Sequence, residues 1–189
     1  MLYLASQSPR RRQLLEQVGL RFGSVDVNVA EVQAAGESPE DYVSRVAREK
    51  AGAGLLALSG VKGAVVLGAD TEVVLAGEVF GKPRDRAHAI AMLQRLSGCT
   101  HHVLSAVWCT SAGREERAFS ITEVSFAILS AAQIAGYVDS GESLDKAGAY
   151  AVQGRAAAFI SHLSGSYSGV MGLPLYETIE LLRRFGIAG

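Results

Sequence analysis

An α/β fold with a mixed sheet flanked by helices is what this 189-residue chain predicts, and three observations carry the prediction. Short apolar runs alternate with helical stretches that bring their own start signals, as in packed layers of helix and sheet. Two long strand-like segments, His101 to Thr110 and Ala118 to Leu129, follow the βα units, and the sheet reads as mixed. No repeat or low-complexity stretch interrupts the pattern, so residues 1–189 read as one domain.

Leu2 to Ala5 reads as a buried strand. A helix starts at Pro9 behind the N-cap Ser8, buries Leu14, Leu15 and Val18, and stops at Gly19. Phe22 to Val27 is strand-like, and Ala34 to Ser38 is a linker. Ser38, Pro39, Glu40 and Asp41 give the next helix a full set of start signals, and it runs to about Leu58. Val65 to Ala69 and Thr71 to Leu75 read as two strands, and Ala76-Gly77 turns the second into Glu78 to Phe80. Arg84 to Leu96 is a helix with Ala89, Met92, Leu93 and Leu96 on one face. Ser111 to Glu116 is a second linker, and the following strand changes phase at Thr122-Glu123, as a bulge would require. A helix at Ala131 to Val138, a strand at Ala156 to Ser161 and a helix at Pro174 to Phe185 complete the chain.

Charge narrows the function classes. Lys and Arg number 18 against 19 Asp and Glu, with a pI near 6.4, so a general nucleic-acid binder is disfavoured. The apolar N-terminal strand runs into arginines without a signal-peptide core, and no apolar run is long enough to span a membrane. Cys99 and Cys109 form no CxxC, which suits a reducing compartment, and a cytoplasmic protein is expected. His101-His102 has no third spaced ligand and is a poor zinc site.

The chemistry begins at Ser6 to Arg12. Arg10, Arg11 and Arg12 fall in the first turn of a helix, the positive end of its dipole, where each exposed cation costs about 0.3 to 1 kcal/mol. An anion bound to the free amides reverses that sign, so Ser8, Arg10 and Arg11 are candidate phosphate ligands, against the alternative of a solvated basic turn. Asp70 is the candidate catalytic carboxylate: it stands at a strand end after Gly68 and Ala69, small residues that admit a ligand. If Leu75 pairs with Glu78, Thr71 lies opposite Lys82, and a carboxylate, a hydroxyl and an ammonium converge. Lys50 continues the apolar stripe Val43, Val46, Ala47 and is either snorkelling or aimed into a cleft. The segments Ser143 to Gly154 and Gly165 to Pro174 combine small and polar residues and read as binding loops or surface turns.

Taken in order, Ser6 to Arg11, Gly68 to Thr71, Gly81 to Asp85, Leu96 to His101, Asp145 to Gly154 and Gly165 to Leu175 resemble the Maf family of nucleoside triphosphate pyrophosphatases over nearly the whole chain. The resemblance implies an elongated α/β fold related to the inosine triphosphate pyrophosphatases, two lobes around a nucleotide cleft, and a homodimer. It implies hydrolysis of a nucleoside triphosphate to the monophosphate and pyrophosphate with Mg²⁺ or Mn²⁺. Asp70 matches the family's catalytic acidic residue, and Ser8, Arg11, Glu31, Lys50 and Lys82 match its phosphate and metal site, with Glu31 and Asp70 as metal ligands. Arg11, Thr71 and Gln153 are similar to the branch acting on the pyrimidine nucleotides dTTP and UTP. Asp145 and Lys146, beside Gln153 in the same segment, complete the expected substrate contacts. A non-catalytic nucleotide-binding regulator of septum formation is the alternative, also drawn from the resemblance.

Overall fold

A computed structural model describes residues 1–187. Its strands are β1 (Leu2–Ala5), β2 (Phe22–Ser24), β3 (Val65–Leu75), β4 (Glu78–Phe80), β5 (Thr100–Ser111), β6 (Arg114–Phe126) and β7 (Ile160–Ser164). They form one mixed sheet in the order β2-β1-β3-β5-β6-β7, with β4 also paired to β3. β1 is parallel to β2 and β3, and the remaining pairs are antiparallel. The helices are α1 (Pro9–Gln17), α2 (Pro39–Ala57), α3 (Arg86–Leu96), α4 (Ala131–Val138), α5 (Tyr167–Met171) and α6 (Leu175–Arg184).

Local signals explain the helix starts. Ser38 accepts from the Asp41 amide, Asp85 from the His88 amide, and Ser130 with Gln133 forms a reciprocal capping box. α2 lays Val43 and Ala47 on one face of the sheet against Val74, Leu104 and Ala106. The other face carries two apolar clusters. Leu4, Leu67 and Val107 pack with α1 and α6, while Val73, Val103 and Phe126 pack with α3 and α4. Between these clusters the sheet presents hydroxyls, since Thr71 pairs with Ser105 and Ser105 with Ser120. This polar seam divides an otherwise continuous core.

Several elements differ from the sequence expectation. β3 is one strand, because β5 pairs with it from Val65 to Val74 without a break. Asp70 therefore sits inside a strand and not at its end. The register of β6 on β5 is continuous from Arg114 to Ser125, so Thr122-Glu123 holds no bulge; the irregularity lies at Ser125/Phe126 against β7. The misleading phase comes from Ser120 and Thr122 pointing inward, where Thr122 bonds the Ser166 backbone, while Ile121 faces solvent. Val18 is exposed and Leu20 packs in its place. β2 stops at Ser24, Arg155–Phe159 forms 3-10 turns before β7, and the segment after Gly165 contains α5.

Gly68 serves the fold and not a ligand. A Cβ there would collide with the Ala47 carbonyl oxygen and the Ala51 nitrogen, so its absence lets α2 lie directly on β3. That close approach sets Lys50 over Asp70.

Candidate active site

One edge of β3 is interrupted. It pairs with β1 from Val65 to Gly68 and with β4 from Val73 to Leu75, which leaves Ala69, Asp70, Thr71 and Glu72 without a strand partner on that side. Side chains alternate along a strand, so Asp70 and Glu72 reach toward α2 while Thr71 and Val73 reach toward the opposite face. A cleft of about 470 Å³ opens at this gap, within the usual range of small-molecule sites. The end of β1 and the start of α1 border it on one side, and Lys82 and the segment around Asp145 to Gln153 on the other.

The floor is charged and buried. Lys50 Nζ donates to Asp70 Oδ1 at 2.7 Å and to Glu31 Oε1 at 2.6 Å, and Lys82 Nζ donates to Glu31 Oε2 at 2.9 Å. Glu31 thus spans the two lysines. Desolvation raises its pKa, but the bonds from Lys50 and Lys82 outweigh burial and bring it down to about 2. Asp70 Oδ2 and Glu72 Oε2 are buried with no hydrogen-bond partner. Burial, reinforced by the charges of Asp70 and Glu31, pushes the Glu72 carboxyl up to about 8.

Arg11 closes the floor from the other face. Its Nε donates to the Gly172 carbonyl at 2.7 Å, and Nη2 reaches Thr71 Oγ1 at 3.5 Å. Burial lowers its pKa while the attraction of Asp70 and Glu31 opposes that loss. The Gly172 backbone has φ of 123°, a left-handed-side conformation that suits glycine, and it aims the carbonyl at Arg11. Ser8 is the N-cap of α1 but makes no side-chain cap bond, so the amides of the first turn stay available to an anion.

The structure brings Ser8, Arg10, Arg11, Glu31, Lys50, Asp70, Thr71, Lys82, Asp145, Lys146 and Gln153 to this one cleft. Arg10 is half-buried near Asp145, and burial lowers its pKa. Lys146 pairs with Asp145, while Gln153 stands exposed at the rim. The expected pairing of Thr71 with Lys82 is incorrect: β4 ends at Phe80, and the Gly81 carbonyl instead accepts from the Gly148 amide. Thr71 lies opposite Ser105, its hydroxyl 3.0 Å from Ser105 Oγ and 3.3 Å from the Gly172 carbonyl oxygen it donates to. That hydroxyl is engaged in the polar seam, in contact with Arg11, Ser105 and the Gly172 carbonyl. Lys82 reaches the floor through Glu31. Lys50 is aimed into the cleft and does not snorkel.

Glu72 was missed. Its signal was the spacing of two from Asp70, which shares a face only if the strand is unbroken. Oxygen donors such as Asp70 and Glu72 fit a hard divalent cation. Among the described residues no group of three or more His, Cys, Asp or Glu could hold a metal, so protein ligands alone would not complete its shell.

The profile described as "Maf-like protein" matches residues 1–185. A relative from Xanthomonas axonopodis pv. citri, named dTTP/UTP pyrophosphatase, is 58% identical and covers 98% of this chain and 99% of its own length. One from Xylella fastidiosa, named nucleoside triphosphate pyrophosphatase, is 55% identical over 98% of each chain. Among solved structures, a nucleoside triphosphatase/dITP/XTP pyrophosphatase from Mycobacterium abscessus overlaps 68% of this chain and 74% of its own at 19% identity and a TM-score of 0.39. That partial overlap is not needed for the assignment. With matches running from end to end, the chain belongs to the Maf family.

Proposed function

We propose that this protein hydrolyses nucleoside triphosphates, dTTP and UTP above others, to the nucleoside monophosphate and pyrophosphate. One observation carries the proposal: a carboxylate oxygen, Asp70 Oδ2, is left without a partner on the floor of a cleft ringed by Arg11, Lys50, Lys82 and the amides of α1. The relatives named dTTP/UTP pyrophosphatase and nucleoside triphosphate pyrophosphatase support the same reaction.

Arg11 and the first-turn amides of α1 bind phosphate oxygens, and Lys50 and Lys82 turn from Glu31 to neutralise further negative charge. Lys50 holds Asp70 Oδ1 in place and leaves Oδ2 without a partner. The Asp70 carboxylate accepts a proton from the attacking water as general base, the water oxygen bonds to the α-phosphorus, the α–β phosphoanhydride bond breaks, and pyrophosphate leaves. A divalent cation, Mg²⁺ or Mn²⁺, held by Asp70 with Glu31 near, supplies charge neutralisation at the phosphates when bound. Gln153 at the rim offers a donor and an acceptor, which match the O4 and N3–H edge of thymine or uracil. Clearance of non-standard pyrimidine nucleotides is within the same chemistry, and a cytoplasmic homodimer is the expected setting.

A regulator that only binds nucleotide gains little from an unpaired carboxylate among phosphate ligands unless that carboxylate holds a metal, so turnover and not binding separates the two readings. The test is pyrophosphate release from dTTP, UTP, CTP and GTP with Mg²⁺, with Mn²⁺ and with chelator. Release from dTTP and UTP that depends on the cation is expected; binding without release from any of the four would overturn the proposal. Sedimentation equilibrium tests the dimer.

A further inference from the structure

We propose that Glu72 joins Asp70 in holding the divalent cation, as the second carboxylate ligand of the cleft. This rests on the proposed use of a cation but assigns a residue that neither the sequence pattern nor the family resemblance singles out.

Asp70 and Glu72 are two apart on one unbroken strand, so both side chains leave β3 on the α2 side. Each is more than nine-tenths buried, and each keeps an oxygen, Asp70 Oδ2 and Glu72 Oε2, without a partner. Lys50 pairs with Asp70 through Oδ1 alone, and no cation bonds Glu72, because Lys50 is taken by Asp70 and Glu31 and Lys82 by Glu31; a buried carboxyl oxygen without a partner is expensive. Glu31 has the opposite character. Both of its oxygens are engaged by lysines and it is one-third exposed, which makes it the residue that positions the lysines. Two free carboxylate oxygens at the wall of a phosphate-sized cleft match how Mg²⁺ and Mn²⁺ are bound, through one or two carboxylates with water and phosphate oxygens completing the shell.

The experiment is a Mn²⁺ titration of the nucleotide-free chain, with free Mn²⁺ read by electron paramagnetic resonance. Wild type binds one Mn²⁺, Glu72→Gln weakens it roughly tenfold or more, and Glu31→Gln weakens it less than Glu72→Gln does. In chelator, Glu72→Gln melts at or above the wild-type temperature, since an unpaired buried carboxyl group has been replaced by a neutral amide. Should that variant not fold, Glu72→Asp, one methylene shorter, carries the same test with a weaker Kd expected. The proposal is overturned if wild type binds no Mn²⁺, if the Glu72 variants bind it like wild type, or if Glu31→Gln weakens it as much as Glu72→Gln. Mn²⁺ binding through Glu72 in a chain that releases no pyrophosphate would uphold this site and remove the hydrolase reading. Pyrophosphate release with Mn²⁺ binding indifferent to Glu72 would remove this site alone.

Discussion

On the floor of the cleft Arg11, Lys50, Asp70 and Glu72 are each at least nine-tenths buried, whereas at the rim Asp145 and Gln153 stand in solvent. The floor is carried by β3, α1 and α2, regular elements locked by sheet register and by the contact of Gly68 with α2. The rim belongs to the irregular segment before β7, held mainly by Tyr150 against His101 and by the Tyr137 hydroxyl on the Ala151 amide. The floor's charges are thus oriented before any ligand arrives, the condition for electrostatic catalysis. Rim side chains such as Asp145 and Gln153 stand in solvent with fewer fixed partners. In the proposed function the triphosphate chemistry shared by all nucleotides falls to the first region and the choice of base to the second.

Asp70→Asn should separate the two regions most sharply. It keeps volume and fold but removes the base, so kcat for pyrophosphate release falls by about 10² to 10⁴ while nucleotide still binds. A folded variant with near wild-type turnover would mean the floor is not the reacting centre. Gly68→Ala probes the same region without touching a charged group. It forces α2 off β3 and Lys50 away from Asp70, and a displacement near 1 Å lowers kcat by about a hundredfold, together with a lower melting temperature. Unchanged kinetics would break the link between helix contact and floor geometry.

At the rim, Gln153→Ala should leave dTTP turnover within a few-fold of wild type. Its effect is on selectivity: a preference for dTTP and UTP over CTP of roughly ten- to a hundredfold in kcat/KM shrinks toward parity. Selectivity that survives the substitution would remove Gln153 from base recognition. A last effect, on stability and not on turnover, is expected against pH. Burial, with a lesser push from His102, takes the His101 pKa down to about 4. The unfolded chain binds a proton below about pH 6.5 that the folded chain refuses until about pH 4. The contribution is complete above the first value and declines as pH falls toward the second, by about 3 kcal/mol in all. Denaturant melts from pH 7 to 4 should show a shallower decline in His101→Gln; identical slopes would contradict the neutral, buried imidazole.

Elements with local end signals were legible in the sequence. Ser38-Pro39 fixed the start of α2, Ala76-Gly77 the hairpin register of Leu75 with Glu78, and the 3.6-residue stripe that placed Lys50 over the sheet also aimed it at the cleft. Long-range choices were hidden. Nothing local says that the chain after Phe80 leaves β3 to pair with Gly148, or that Lys82 meets Glu31 and not Thr71. Gly68-Ala69 looked like a break, so β3 was read as two strands; the helix that needs that glycine lies almost twenty residues earlier. The same misreading concealed Glu72, because a shared face requires a continuous strand.

In the proposed reaction the buried floor, through Asp70, converts a pyrimidine nucleoside triphosphate to monophosphate and pyrophosphate. Phosphorus NMR of dTTP incubated with Mg²⁺ and either wild type or Asp70→Asn tests it most directly. Signals of dTMP and pyrophosphate rising together with wild type, and no more than the buffer rate with the variant, are predicted. Formation of dTDP with inorganic phosphate, or equal pyrophosphate from both proteins, would contradict it.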